Sequence, residues 1–361
     1  MHDPFPIPQQ PWLSKAVQPF ADYFSLTTLP IHIHEVLFAF FSYTFINIVV
    51  APRISTWLFP DKYPKLSRDR KINWDVHVVS LVQSTMINIL ALWVMFTDED
   101  RKSMDWTQRI WGYTGAAGMI QGLAAGYFLW DLMISLQNIK VFGLGMLAHA
   151  VSALIVFSFG FRPFLNFYGC TFILYELSTP FLNFHWFFDK LDMTGSRAQL
   201  YNGLVLLAMF FSCRLVWGTY QSVRVYQDVW AALHHKPAGP SIHLDMLNNS
   251  TNAAMDAAAG KNAMPIHNDI MQFAGEEYIP LWLALTYLGS NVILNTLNFF
   301  WFAKMIETVR KRFQPPKERK TKEKAVAMRS TGANGSKKIT VDETEVRRRK
   351  VGEEEVAPPA A

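Results

Sequence analysis

The chain alternates long apolar segments with short polar joints between residues 35 and 303. A membrane core about 30 Å thick is crossed by roughly 20 apolar residues of α-helix. Seven segments meet or nearly meet this length: 35–51, 76–96, 110–134, 141–160, 164–183, 200–219 and 279–303. The pattern therefore predicts an all-α fold, a polytopic membrane helix bundle with seven transmembrane helices. A soluble bundle of buried helices is the disfavoured alternative, because the charges are confined to the joints.

The segments around this membrane body differ from it in composition. Residues 1–34 contain prolines and few charges, and we interpret them as an irregular leader that lacks the basic start and cleavage site of a signal peptide. Residues 220–278 form an insertion with a small, polar middle, which predicts a flexible loop. In residues 314–361, Pro, Lys, Glu and Ala dominate without apolar periodicity, which predicts a disordered tail.

Positive charge is concentrated at the C-terminal end. Residues 304–361 hold sixteen Lys and Arg against nine Asp and Glu, a net of +7, whereas the whole chain is +5. Beside membrane spans, a basic tail marks a cytosolic face or a contact with anionic lipid rather than with nucleic acid. The two cysteines lie in apolar segments. We therefore expect neither a disulfide framework nor a metal site.

The charge of the loops sets the predicted orientation. Loop 52–75 carries six Lys and Arg residues, and the positive-inside rule places it in the cytosol. Counting spans from this loop puts the N-terminus and loop 220–278 on the lumenal side and the C-terminus in the cytosol. Loop 220–278 carries overlapping glycosylation sequons at Asn248 and Asn249, which can be used only on the lumenal side. The sequon at Asn334 falls in the cytosolic tail and should stay unmodified.

Polar side chains interrupt the apolar segments near their cytosolic ends. The helical rise puts Asp131 about 5 Å from the cytosolic end of its span, His149 about 12 Å and Glu176 about 11 Å. Further polar side chains reach the same half from the second and last spans: Gln83, Asn291, Asn295 and Asn298. The lumenal halves are comparatively plain. The candidate chemistry is thus predicted on the cytosolic side.

Each of these residues also has an ordinary structural explanation. Asp131 is shallow enough to reach the membrane interface, and His149 can be a neutral imidazole bonded to a neighbouring helix. Asparagine stripes often hold helices together. Taken together, however, polar groups from five helices predict one polar cavity that opens to the cytosol and binds lipid. Its predicted lining is Asp131, His149, Glu176, Gln83, Asn295 and Asn298.

Several stretches resemble motifs of a known family. "GYFLWDL" followed by "MLAHAVSAL" resembles the paired motif of the TLC-domain family, which includes ceramide synthases, translocation-associated membrane proteins and small TLC-domain-containing proteins. "YELSTPFLNFHWFF" is similar to the "E-STPF-N-RW" signature of the small TLC-domain branch, with His185 where arginine is common. The resemblance covers about residues 69–310 as a six-helix TLC domain, with 35–51 as an extra leading helix.

The resemblance implies a specific expectation about chemistry. Asp131 matches the family's aspartate, and His149 matches the first histidine of the pair that ceramide synthases use for acyl transfer. The second position of that pair is Ala150. Acyl transfer needs a base and a partner that tunes it, so the loss of one imidazole argues against an enzyme. We expect a protein of the endoplasmic reticulum that binds membrane lipids, affects lipid composition and needs no cofactor.

Two alternatives stay open at this point. The first is an acyl-CoA-dependent N-acyltransferase of the ceramide-synthase type, in which acyl-CoA is a substrate, His149 is the base and Asp131 orients it. The second is a trafficking or translocation helper that uses the basic tail to bind its partners. Amide formation from acyl-CoA and a long-chain amine separates the first alternative from a lipid binder.

Overall fold

The computed structural model describes residues 1–234, 270–274 and 279–313, and within them the secondary structure is helical without strands. The α-helices are α1 (Pro11–Phe24), α2 (Leu29–Phe45), α3 (Ala51–Leu58), α4 (Arg68–Thr97), α5 (Glu99–Lys102), α6 (Trp106–Trp111), α7 (Gly115–Gln137), α8 (Ile139–Phe159), α9 (Asn166–Phe172), α10 (Thr179–Lys190), α11 (Arg197–Phe210), α12 (Gly218–His234) and α13 (Leu281–Phe313). Two π-helical segments, Ile46–Val50 and Phe211–Trp217, and two 3₁₀ segments, Tyr63–Lys65 and Ile173–Ser178, join some of them. The predicted all-α fold is confirmed.

Five helical stretches among the described residues are long and apolar enough to cross a membrane: Leu29–Leu58, Arg68–Thr97, Trp106–Gln137, Ile139–Phe159 and Arg197–His234. Large apolar side chains such as Trp57 and Phe96 point outward and are exposed, as expected for surfaces that face lipid. Of the two other predicted spans, 164–183 falls on α9, the second 3₁₀ segment and α10, and 279–303 falls within α13. The membrane bundle is therefore confirmed, while the count of seven stays a prediction.

The chain divides into two compact units, and the first of them contains Met1–Thr296. The second begins at Leu297 and contains the end of α13, where Glu307 forms ion pairs with Lys304 and Lys311, each at 3.3 Å. Asn298, one of the predicted cavity residues, belongs to this second unit.

The predicted irregular leader is wrong, because residues 11–24 form α1 and α2 already begins at Leu29. Pro11 lies at the start of α1, where its fixed φ favours the first helical turn. Helix α1 buries Ser14 and Ala21 and leaves Trp12 and Tyr23 exposed. The leader is thus an amphipathic helix packed against α2.

Helix α7 belongs to the most deeply buried of the five candidate spans, Trp106–Gln137, and most of its residues are buried. Its glycines form the surface on which α2 lies. A Cβ atom at Gly118 would collide with the His32 ring, one at Gly122 with the Glu35 carboxylate and one at Gly126 with the backbone carbonyl of Val36. Small residues four apart let two helices approach this closely in a membrane.

The connections gather at two ends of the first unit, here called the Met1 side and the Lys62 side. The Met1 side is defined by three contacts: the Met1 amine with Asp98 at 3.2 Å, the Thr28 hydroxyl donating to Phe161 O at 3.0 Å, and Tyr113 N–H donating to Ile270 O at 2.9 Å. On the Lys62 side, the Lys62 ammonium lies 2.7 Å from Asp192. Helices α4 and α7 run from one side to the other.

The predicted loop 220–278 is helical in its first part, because α12 continues to His234. Arg109 and the phenol of Tyr168 both donate to Asp228, at 2.7 Å and 2.5 Å, and so fix α12 near the Met1 side. Residues 235–269 and 275–278, with the sequons at 248 and 249, and the tail from residue 314 lie outside the described residues.

Candidate functional site

Asp131 lies on α7, about 9 Å from the end of this helix on the Lys62 side. It is buried, and its Oδ2 atom has no hydrogen-bond partner among the described residues. Its carboxyl group is within electrostatic range of Glu176. The phenol of Tyr127, one turn earlier on α7, interacts with both carboxyl groups. The two predicted acidic residues therefore belong to one buried cluster.

His149 comes from α8, the helix that follows α7 after a short turn. It is buried beside Phe128, whose ring it meets edge-on with centroids 6.2 Å apart. Arg214 is close enough to act on it electrostatically. Ala150, the next residue, is completely buried in the packing. A second imidazole at that position would need the neighbouring side chains to move.

Glu176 lies in the 3₁₀ segment Ile173–Ser178, and Arg214 faces it from the π-helical segment Phe211–Trp217. The Arg214 Nη2 atom is 3.6 Å from Glu176 Oε1. The same guanidinium donates to Ser178 Oγ at 3.1 Å and to Thr179 Oγ1 at 2.9 Å. The Oε2 atom of Glu176 has no hydrogen-bond partner within the described part of the chain. One arginine thus fixes three residues of the "YELSTPF" motif.

Arg214 is a residue that the sequence prediction missed. The available signal was an arginine inside the apolar segment 200–219, where a charge is expensive and has to face the interior or a partner. Single π-turns within α-helices occur often at functional sites. The buried ionisable groups around Arg214 are thus two carboxyl groups and one guanidinium, with the imidazole of His149 beside them.

The remaining polar residues of the motif bind α4. His77 Nδ1 lies 2.7 Å from Asn183 Oδ1, and Asn183 Nδ2 donates to Ser80 Oγ at 3.0 Å. The His77 ring stacks on Trp186 with centroids 4.0 Å apart. These contacts hold α10 against α4 and explain the motif's asparagine and tryptophan as structural residues.

Gln83, one turn beyond Ser80 on α4, is buried. Neither its Oε1 nor its Nε2 atom has a hydrogen-bond partner among the described residues. A buried amide without partners costs roughly 1–3 kcal/mol, so a bound polar molecule or water is expected beside it.

At its start, α4 is anchored by a different pair on the Lys62 side. The Tyr63 phenol donates to Asp75 Oδ1 at 2.8 Å. Burial, with help from Asp75, raises the pKa of the Tyr63 phenol above its usual range, so the phenol stays a donor.

The asparagines of α13 hold helices together within the first unit. Asn295 Nδ2 donates to Ser222 Oγ at 2.9 Å, and Asn295 Oδ1 accepts from the Tyr175 phenol at 3.2 Å. The Tyr226 phenol donates to Asn291 Oδ1 at 3.1 Å. Asn295 therefore connects α13 to α12 and to the 3₁₀ segment.

A narrow cleft borders the cluster between α8 and α13. Its walls include His149, Glu176, Tyr175 and Asn291, and the other lining residues are apolar. Its volume is about 30 Å³, which holds an ordered water or two but not an acyl chain. Asp131 and Gln83 lie outside its lining. The structure thus brings His149 and Glu176 together at one cleft and places Asp131 and Gln83 behind it.

The helical bundle and its buried acid, base and guanidinium define an integral membrane protein with a polar interior. Residues 73–307 match the TLC domain family. The chain belongs to the TLC domain family.

Relatives at the level of the whole chain agree with this assignment. The chain is 36% identical over 300 residues to an uncharacterised TLC domain-containing protein of Schizosaccharomyces pombe, covering 83% of this chain and 86% of that one. It is 27% identical over 291 residues to topoisomerase I damage affected protein 4 of Saccharomyces cerevisiae, covering 79% and 86%. It is 30% identical over 194 residues to human TLC domain-containing protein 4, covering 53% and 68%. These relatives are not ceramide synthases, and the predicted resemblance is confirmed.

Proposed function

We propose that this protein binds a membrane lipid in the polar interior of its bundle, through a headgroup that donates hydrogen bonds. The observation that carries the proposal is the convergence of Asp131, His149, Glu176 and Arg214 from four helical segments into one buried cluster. Charged groups in a membrane interior are expensive, and they are found where they serve a site or pair with one another. Here Arg214 pairs with Glu176, while Asp131 Oδ2 and Glu176 Oε2 have no hydrogen-bond partner among the described residues.

The chemistry of the cluster selects the class of lipid. Three buried oxygens lack hydrogen-bond partners among the described residues: Asp131 Oδ2, Glu176 Oε2 and Gln83 Oε1. Hydroxyl and ammonium groups donate to such oxygens, whereas a phosphodiester offers only acceptor oxygens and would leave them without a donor. We therefore infer a lipid with hydroxyl or amine groups in its head, such as a sphingoid-type amine or a hydroxylated lipid.

Access for such a lipid is proposed between α8 and α13. Because the cleft there is narrow, binding an acyl chain requires these two helices to separate. Gly143 breaks α8 on the Lys62 side, with a φ of 79° and no neighbouring atom within 4 Å of an added Cβ. The helical part of α8 after this glycine is thus attached to α7 by a short irregular joint, which favours its movement.

The cellular setting is part of the same proposal. We place the protein in the endoplasmic reticulum with its N-terminus in the lumen and its C-terminus in the cytosol, where it affects membrane lipid composition. The support for the orientation is the basic loop 52–75 at the Lys62 side and its contact with Asp192 across the same end.

Lipids that co-purify with the detergent-solubilised protein test the proposal directly. We expect mass spectrometry to find about one amine- or hydroxyl-bearing lipid per chain. Glu176→Gln and Asp131→Asn should reduce its amount. Thr85→Ala is the matched control, since Thr85 faces outward on α4 and bonds only to its own helix in the described structure, at Leu81 O. Equal lipid in all variants, or none in the wild type, would overturn the proposal.

The N-acyltransferase remains the second candidate, because the residues that it would need, His149 and Asp131, are both buried in the same cluster. We expect the wild type to form no amide from acyl-CoA and a long-chain amine, since Ala150 replaces one imidazole. Robust amide formation that falls on the order of 10²-fold in His149→Ala would establish the enzyme instead. Ala150→His should give no activity in a binder, and a gain of activity would favour the enzyme.

A further inference from the structure

A second polar cluster lies on the Met1 side, away from the proposed lipid site. It consists of His32, His34 and Glu35 in the first two turns of α2, together with Asp3 from the N-terminal segment. The sequence predicted an irregular leader over residues 1–34 and indicated no candidate site residue among them or at Glu35. In the structure, His32, His34 and Glu35 are all buried. The Met1 side therefore carries a buried polar cluster that the sequence prediction did not identify.

The geometry of three of these residues suits a shared cation. One potential ligand atom from each of Asp3, His34 and Glu35 lies within 4.8 Å of the other two. Zinc–nitrogen and zinc–oxygen bonds of about 2.0–2.2 Å put two ligand atoms at most about 4.4 Å apart. A small rotation of the half-exposed Asp3 side chain would therefore close the set around one ion.

The hydrogen bonding of the cluster is incomplete in a way that points to a ligand. His34 Nε2 lies 3.9 Å from Glu35 Oε1, a distance too long for a hydrogen bond and ordinary for two ligands of one ion. Glu35 Oε1 and His34 Nδ1 have no hydrogen-bond partners among the described residues. Glu35 is 0% exposed and His34 is 7% exposed. Glu35 thus has one carboxyl oxygen that is buried without a partner, and a bound cation would satisfy it.

The neighbouring residues form the support that metal ligands usually have. His32 Nδ1 lies 2.9 Å from Glu35 Oε2, and His32 Nε2 lies 2.6 Å from the Tyr113 phenol. Such a second layer orients the ligating carboxylate. Gly118 and Gly122 of α7 leave the space that His32 and Glu35 occupy. The cluster is thus positioned by three elements of the fold.

A path from solvent to the cluster is also present. Asp3 and His32 line a cleft of about 1080 Å³ on the Met1 side. The Asp3 side chain is 30% exposed, whereas the other members are closed off by the packing. Solvent therefore reaches the cluster through Asp3.

We propose that Asp3, His34 and Glu35 bind one divalent cation, zinc or a similar transition metal, on the Met1 side of the bundle. An imidazole with two carboxylates is a donor set that suits zinc, whereas calcium prefers oxygen ligands alone. The proposal is independent of the proposed lipid site, because it shares no residue with it.

Metal content of the full-length protein tests the proposal. The protein is purified through a tag without histidines, equilibrated with Zn²⁺ and dialysed, and its zinc is measured by mass spectrometry. We expect about one zinc per chain in the wild type and much less in His34→Ala and Asp3→Asn. His32→Ala should weaken binding about 10–100-fold, the usual effect of losing a supporting residue. The matched controls are His234→Ala and Asp22→Asn, which change exposed residues outside the cluster.

The controls separate metal binding from folding and from lipid binding. Asp3 is half-exposed, so Asp3→Asn should keep the wild-type content of co-purified lipid while losing zinc. Zn²⁺ should raise the melting temperature of the wild type and of both controls, and not that of Asp3→Asn. Absence of zinc from the wild type, equal zinc in Asp3→Asn and Asp22→Asn, or equal binding of Ca²⁺ would overturn the proposal.

Discussion

Among single residues, Arg214 determines more of the site than any residue chosen from the sequence. It binds Glu176, Ser178 and Thr179 together. Asp131, His149 and Glu176 could be predicted because acids and imidazoles stand out in apolar segments. Arg214 could not be assigned a partner, since pairing across helices depends on the π-turn that aims its side chain.

Replacing Arg214 by methionine should destabilise the protein strongly. The substitution leaves the Glu176 carboxylate buried without its cation, which typically costs about 3–5 kcal/mol. Thermal unfolding in detergent measures the effect, and adding Glu176→Gln to Arg214→Met should restore part of the loss. The exposed pair Lys62–Asp192 is the control, because Lys62→Met should change stability by about 1 kcal/mol or less. If Lys62→Met and Arg214→Met lost similar amounts of stability, this result would contradict a buried ion pair between Arg214 and Glu176.

A second residue-level prediction concerns Gly143. Its φ of 79° is unfavourable for residues with a Cβ, so Gly143→Ala should cost about 1–2 kcal/mol. Gly145 lies two residues later in an open position without a positive φ. Gly145→Ala should therefore be neutral or stabilising. The difference in melting temperature between Gly143→Ala and Gly145→Ala tests whether the backbone of α8 is kinked at Gly143. Equal melting temperatures would show that α8 is continuous there.

At the scale of helices, long regular spans were predictable and interrupted ones were not. The length of the apolar segments located α7 and α8 to within about five residues, and it located the end of α4 but placed its start at 76 instead of Arg68. The predicted span 164–183 is instead broken into α9, a 3₁₀ segment and α10, because hydropathy does not distinguish a 3₁₀ turn from an α-turn. Residues 11–24 were missed for a similar reason, since an amphipathic helix that lies along a bundle has too few apolar residues to resemble a span.

The contact between α2 and α7 gives a prediction for an element. A methyl group at Gly126 would meet the backbone carbonyl of Val36, which cannot rotate away. Gly126→Ala should therefore push the two helices apart and cost about 1–3 kcal/mol. Gly289 in α13 has open space around it, and Gly289→Ala should be neutral or gain up to about 1 kcal/mol. The unfolding temperatures of the two variants and the wild type measure the effect. A Gly126→Ala variant as stable as the wild type would refute the close packing of α2 and α7.

At the scale of the whole molecule, the two sides of the first unit carry different contacts. Helix α12 ends at His234 close to the Met1 side, and Ile270 returns to Tyr113 on that side. The chain between them therefore leaves and re-enters at the end that the loop charges predict to be lumenal. The charges of the loops predicted which side of the membrane loop 220–278 faces. The structure adds that α12 ends at His234 and that Ile270 contacts Tyr113 at the same end of the first unit.

Glycosylation tests the sidedness in cells. We expect Asn248 or Asn249 to carry a glycan and Asn334 to carry none, because only the lumenal side has access to the modifying enzyme. Glycosidase treatment should shift the gel mobility of the wild type, and Asn248→Gln with Asn249→Gln should abolish that shift. Asn334→Gln is the control and should leave the shift intact. A glycosidase-sensitive shift that persists in the double variant would contradict the predicted orientation of the chain in the membrane.

The 3₁₀ segment Ile173–Ser178 has a consequence for how the motif tolerates changes in length. Side chains three positions apart lie directly in line along a 3₁₀-helix, whereas along an α-helix they share a face but are offset by about 60°. Glu176 and Thr179 are three apart, and both reach Arg214 from one edge. A single residue inserted between them would keep every chemical group yet rotate one of the two out of reach. The spacing of this motif is therefore as much a part of the site as its side chains.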